Sequence, residues 1–159
     1  MKLYHGSNVE VSNPQILPAI RNVDFGNGFY LTSDFEQARK WAISTVKRRI
    51  NGTPTVSVFE IKDEDFYNLK IKDFKQPNEE WLNFVAENRT RFIYNNEYDI
   101  IMGPVADDNT MPVVDLYMQG FINVTNALER LLPQKLKDQI VFKNEKALLK
   151  LRFIEKIEV

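Results

Sequence analysis

Leu3-Tyr4-His5-Gly6-Ser7 and, further along, Asp24-Phe25-Gly26-Asn27-Gly28-Phe29-Tyr30-Leu31-Thr32 are the two stretches on which the reading of this chain turns. His5 is the one histidine present. It stands between a strand-prone Leu-Tyr pair and a Gly-Ser that lets a ligand approach the backbone. Tyr30 lies on a short β-prone run directly after Gly26 and Gly28, whose missing side chains leave room for a flat group. A lone His-Gly-Ser or a lone Gly-x-Gly carries little, and the two in this order carry more.

Working outward, residues 2–5 read as a first strand, 6–27 as mostly loop, and 29–32 as a short second strand. Ser33 with Glu36 makes a capping-box pattern, and Phe35, Ala38, Trp41, Ala42, Thr45 and Val46 then recur at helical spacing. That helix runs to about Ile50, closing on Lys47-Arg48-Arg49 and the Asn51-Gly52 stop. Residues 53–61 alternate as a strand, 62–67 form an acidic turn, and 68–74 form another strand. From Pro77 to about Arg91 the pattern is a Pro-initiated helix. Strands are expected over 98–105, 112–118, 139–142 and 151–159, with helices over 124–132 and 144–150. Strands outnumber helices without alternating strictly with them, so the fold class is α+β, in a single domain spanning 1–159.

Composition bounds the rest. The chain has 159 residues, 43% hydrophobic, with 11 Phe, 6 Tyr and 2 Trp, which suits one buried core and argues against disorder. A net charge of -1 gives no overall basic field to recruit nucleic acid. With no cysteine there are no disulfides, thiolate zinc sites or cysteine nucleophiles. The start of the sequence carries no apolar leader and no stretch is long enough to span a bilayer, so a soluble cytoplasmic domain with no membrane partner is expected. A metal site is not expected, because no second histidine or clustered set of acids supports one.

In their order and spacing, the two opening stretches resemble the first two motifs of the ADP-ribosyltransferase superfamily, in the His-Tyr-Glu branch shared by diphtheria toxin and the poly(ADP-ribose) polymerases. That resemblance covers nearly the whole chain and implies a split two-sheet β-sandwich with flanking helices that binds NAD in its cleft. It implies that His5 holds the ribose, that the backbone of Gly6, beside Ser7, meets the nicotinamide amide, and that Tyr30, following Gly28, stacks on the ring. Trp41 falls where the polymerase-type enzymes carry a second stacking aromatic; its helical spacing equally suits a core anchor.

The third motif of that superfamily is a glutamate opening a late strand. The passage Lys137-Asp138-Gln139-Ile140-Val141-Phe142 resembles it without the glutamate. Either Asp138 or Gln139 takes the position, and adjacent strand residues face opposite ways. A bacterial family of formerly unknown function with the same His-Gly-Ser and Asp-Phe-Gly-x-Gly-Phe-Tyr pattern tends to show Gln there, which favours Gln139. The segment 102–109 also resembles that family, leaving Asp107 and Asp108 as either substrate contacts or ordinary turn residues.

The expectation is therefore a mono-ADP-ribosyltransferase using NAD as co-substrate. By resemblance it is the toxin of a bacterial toxin–antitoxin pair, with a cognate antitoxin protein and a protein or nucleic-acid acceptor. Two alternatives stand beside it: a binding module that keeps the NAD or ADP-ribose pocket without the reaction, and an NAD-dependent RNA 2′-phosphotransferase. The basic runs at 47–49 and 88–91 read as solvated surface, with guidance of an anionic partner such as RNA as the alternative.

Overall fold

The computed structural model describes residues 1–18, 23–91 and 97–159; residues 19–22 of the expected first loop lie outside them. The described elements are β1 (Lys2–Ser7), β2 (Phe29–Leu31), α1 (Phe35–Arg49), β3 (Thr55–Glu60), β4 (Ile71–Asp73), α2 (Glu79–Thr90), β5 (Ile100–Pro104), α3 (Met111–Met118), α4 (Val124–Leu131), β6 (Asp138–Phe142), α5 (Glu145–Leu148) and β7 (Arg152–Glu158), with a 3-10 turn at Asp63–Phe66. The class is α+β. Two open sheets form, one in the order β1-β3-β7 and one in the order β2-β6-β5-β4. Every pairing is antiparallel except β4 with β5.

Strand alternation builds the layers. Leu3, Phe29, Leu31, Phe59, Ile100, Ile140 and Phe142 fill the space between the two sheets. The intervening positions Ile101 and Val141 face the other way, onto Phe25, Phe74, Trp81, Leu82 and Val85. Trp81 is fully buried and its indole N–H donates to the Pro104 carbonyl at 3.0 Å, so its one polar atom is satisfied. Helix α1 covers the outer face of the first sheet through a stripe of small buried residues, Ala38, Ala42 and Thr45. Small residues are needed because the helix lies almost on the strand: a Cβ at Gly6 would stand 2.0 Å from the Ala38 carbonyl oxygen.

Three local expectations change. Residues 111–118 are helical rather than a strand, because Pro112 sits in the first helical turn, where its fixed φ helps and its missing N–H costs nothing. The cap of α1 is Asp34, whose carboxylate accepts from the Gln37 N–H at 2.8 Å, and Ser33 is used elsewhere. Helix α2 is capped by Asn78 in the same way, so Pro77 precedes the helix instead of opening it. Among the described residues no helix is long and apolar enough to cross a membrane.

Candidate functional site

Among the described residues one backbone bridge makes a seam between the two sheets. Tyr4 and Thr32 exchange both backbone hydrogen bonds, at 2.9 and 3.0 Å, and form an isolated bridge between β1 and β2. Along an antiparallel strand, alternate residues aim their N–H and C=O at opposite edges. Tyr4 aims at β2, so Gly6, two residues on, aims the same way. No bridge joins Gly6 to Tyr30, its next partner in that register. On its other edge Gly6 pairs with Val56 in a register whose bonded pairs are its neighbours. The strands part here, and the Gly6 N–H and C=O face the gap with no backbone partner among the described residues.

His5 explains why the ladder stops. Its Nδ1 lies 2.7 Å from the Tyr30 carbonyl oxygen, the acceptor that the Gly6 N–H would otherwise meet. A carbonyl only accepts, so Nδ1 carries the proton. The ring stacks on Phe29, with centroids 4.3 Å apart and planes at 29°. Burial of the ring lowers its pKa to about 4, against the opposing effect of the Tyr30 bond and with the Arg49 charge lowering it further. His5 is therefore neutral at pH 7, and Nε2 presents a lone pair to which no described residue donates.

The unfolded chain takes up the proton near pH 6.5 and the folded chain only near pH 4. His5 therefore contributes stability that is complete above pH 6.5 and is lost as the pH falls toward 4. The lone imidazole gives unambiguous proton NMR signals, which should stay in the neutral form through pH 6 and titrate near pH 4. A midpoint near 6.5 would show the ring to be solvated.

Tyr30 lies on the opposite side of β2 from the His5 ring, because residues paired across the seam share a face and Tyr4 with Gly6 turns toward α1. Its hydroxyl donates to the Gly26 carbonyl at 2.6 Å and accepts from the Phe25 N–H at 3.1 Å, which fixes the ring. The preceding glycines serve the fold directly. Gly26 has φ +73, and a Cβ on Gly28 would lie 2.4 Å from Val141 Cγ1. The side of Gly28 thus meets β6 rather than open space. Trp41 is half-buried and belongs to neither core cluster. It sits on the turn of α1 whose Ala38 and Ala42 abut Gly6. Tyr30, Gly6 and the helix that carries Trp41 thus lie on one side of the seam.

The two third-motif candidates have separate surroundings. Gln139 is 2% exposed, and its side-chain amide donates to Asp24 Oδ2 at 2.9 Å and to the Pro104 carbonyl at 3.1 Å. It is a strut inside the helix-covered layer, with both hydrogen bonds from its amide made to protein groups. Asp138 alternates onto the same face as Ile140 and Phe142, the face that His5 shares. Its carboxylate accepts from Thr32 Oγ1, the Ser33 N–H and Ser33 Oγ at 2.8, 2.9 and 2.6 Å. Thr32 is also the seam partner of Tyr4, which links Asp138 to the residue before His5.

The remaining candidates are local. Ser7 is buried and its hydroxyl reaches Asn8 Oδ1 at 3.4 Å. Asp107 accepts from the Asn109 and Thr110 N–H groups and from Thr110 Oγ1, an Asx turn that leads into α3. Asp108 is exposed beside it. Among the described residues no three of His, Asp and Glu converge as metal ligands do.

The run 88–91 is not all solvated surface: Asn88 is buried and Arg89 pairs with the buried Asp24. Asp24 is 3% exposed and receives Arg89 Nε at 2.7 Å, the Ala106 N–H at 2.9 Å and Gln139. Together they pin the loop before Tyr30 to α2 and β6. A buried aspartate needs such a set of donors, yet nothing local in the sequence marks where they come from.

The chain belongs to the family described as a protein of unknown function, DUF3990, whose sequence model matches residues 1–153. No curated protein and no solved structure matches it.

Proposed function

We propose that this member of the DUF3990 family is a mono-ADP-ribosyltransferase that binds NAD at the seam between its two sheets. The observation that carries the reading is the unpaired backbone edge of Gly6, a buried residue. Its N–H and C=O face the gap beyond Tyr4–Thr32, an arrangement complementary to a carboxamide, which offers one acceptor and two donors. The fixed ring of Tyr30 and the half-buried Trp41 would flank the nicotinamide. His5 Nε2 would accept from a ribose hydroxyl.

Breaking the nicotinamide–ribose bond develops positive charge on the sugar, as in glycoside hydrolysis, and a nearby carboxylate stabilises it. On this reading Asp138 supplies that carboxylate, oriented by Thr32 and Ser33, and Gln139 supports the loop that carries Tyr30. The bond from C1′ to the nicotinamide nitrogen breaks, the nicotinamide leaves with that electron pair, and the acceptor nucleophile bonds to C1′ as it loses its proton. The acceptor, protein or nucleic acid, and the pairing with an antitoxin belong to the same proposal and rest on the resemblance alone.

Incubation of the purified protein with labelled NAD and a bacterial lysate tests this. Nicotinamide release and label on macromolecules are expected, both falling at least 100-fold in His5→Ala and Asp138→Asn. A second reading, a pocket that binds without reacting, is favoured by the three donors already engaging Asp138. NAD binding without release or transfer would select it, and no NAD binding would sink both.

A further inference from the structure

Beyond the Tyr4–Thr32 bridge, where β1 ends, a cation is held by a neutral buried side chain. Strand β1 and helix α1 run the same way: Phe35 packs on Tyr4 and Ala38 on Gly6, and the helix ends with Arg49 beside Asn8, the residue after β1. Arg49 Nη1 donates to Asn8 Oδ1 at 2.9 Å. Asn8 is 5% exposed and fixed on its other side, where its amide donates to the Asn51 carbonyl at 3.2 Å and its own carbonyl accepts from the Thr53 N–H. The guanidinium is thus aimed by a buried residue, while Arg49 as a whole is exposed. Among the described residues it forms no ion pair.

An arginine already held by a neutral buried side chain has lost part of its rotamer freedom before any anion arrives. Its remaining N–H groups suit the paired oxygens of a phosphate. From the unpaired edge of Gly6 the strand leads through Ser7 to Asn8 and this cation. A dinucleotide whose carboxamide sits at Gly6 and whose first ribose sits at His5 would next place its diphosphate along that path.

We propose that Arg49, oriented by Asn8, is the anchor for a diphosphate group at the mouth of the gap. The assignment of that diphosphate to NAD rests on the reading above. The proximity of the two groups also appears in the Arg49 contribution to keeping His5 neutral.

Calorimetric titration of the intact chain and of Arg49→Gln with inorganic pyrophosphate, NAD and nicotinamide tests it, with thermal unfolding as the control for fold. Arg49→Gln should weaken pyrophosphate and NAD by roughly tenfold or more and leave nicotinamide unchanged. Arg49→Lys should recover part of the loss, as a point charge without the fork. Asn8→Ala should weaken the same two ligands less. Equal binding of pyrophosphate and NAD by the wild type and Arg49→Gln would overturn the anchor and leave the NAD reading standing. Pyrophosphate binding lost in Arg49→Gln, with no NAD binding by the wild type, would support the anion site and remove the dinucleotide from it. Pyrophosphate failing to bind the wild type, or nicotinamide weakening as much as NAD in Arg49→Gln, would overturn the anchor.

Discussion

Gly6→Ala should destabilise the fold by about 3 kcal/mol or more, at the upper end of what overpacking costs. The added methyl would lie 2.0 Å from the Ala38 carbonyl oxygen and 2.7 Å from the Ala42 nitrogen. Both are helix backbone and cannot rotate aside, so α1 must lift off β1 along the line that buries Ala38, Ala42 and Thr45. In a domain of this size the midpoint of thermal unfolding should fall by roughly 6–12 °C. Gly28→Ala should cost less, because its closest neighbour is the Val141 side chain, which can shift. An unchanged melting temperature for Gly6→Ala would mean that α1 does not press on the strand.

On the proposed reading Gly6 would offer a ligand its backbone, while its lack of a side chain is demanded by the helix, so lost activity in Gly6→Ala would say nothing about nicotinamide. The informative change is on the ligand. Replacing the carboxamide by a carboxylate removes the donors that would meet the Gly6 carbonyl and sets a charge against it, so binding should weaken by at least tenfold. Equal affinity for the two would argue that the unpaired edge of Gly6 is not the amide site.

The sequence placed β1 and β2 because their signals are local. His-Gly-Ser on one strand and Gly-x-Gly-Phe-Tyr before another specify strand, turn and aromatic within a few residues. Periodicity placed α1, α2 and α4 within a few residues of their true ends. It failed over 111–118, where Val113 and Val114 after a proline read as β-branched strand. The deciding signal was the proline itself, standing in the first turn of a helix that the Asp107 turn leads into. The roles of Gly28, Gln139 and Asp24 were hidden for another reason. Their partners lie far off in the chain, as Gln139 and Asp24 do at a separation of 115 residues. Single-sequence patterns carry no information about which distant donors converge on a buried carboxylate.

That convergence makes Gln139→Glu and Asp138→Glu a discriminating pair, although both restore a glutamate to the third motif. At position 139 the new carboxylate would replace the amide that donates to Asp24 Oδ2 at 2.9 Å and would also face the Pro104 carbonyl oxygen. Two acceptors would then oppose it in a buried site. Gln139→Glu should lose about 3–5 kcal/mol at pH 7, the scale of an uncompensated buried charge. Like charge and burial both raise the pKa of the introduced group in the folded state. The folded variant therefore binds a proton that the unfolded one has released, and its stability should fall with rising pH and recover on acidification toward pH 5. Wild type, losing the His5 contribution over the same range, should move the other way. At position 138 the surroundings are polar and partly open. Asp138→Glu should keep the fold within about 1 kcal/mol, the scale of one disturbed hydrogen bond to Thr32 or Ser33. If the carboxylate that steadies a cationic sugar stands at 138, any gain in nicotinamide release should come from Asp138→Glu. A well-folded Gln139→Glu with raised activity would return the catalytic role to Gln139 and require Asp24 to release it on substrate binding.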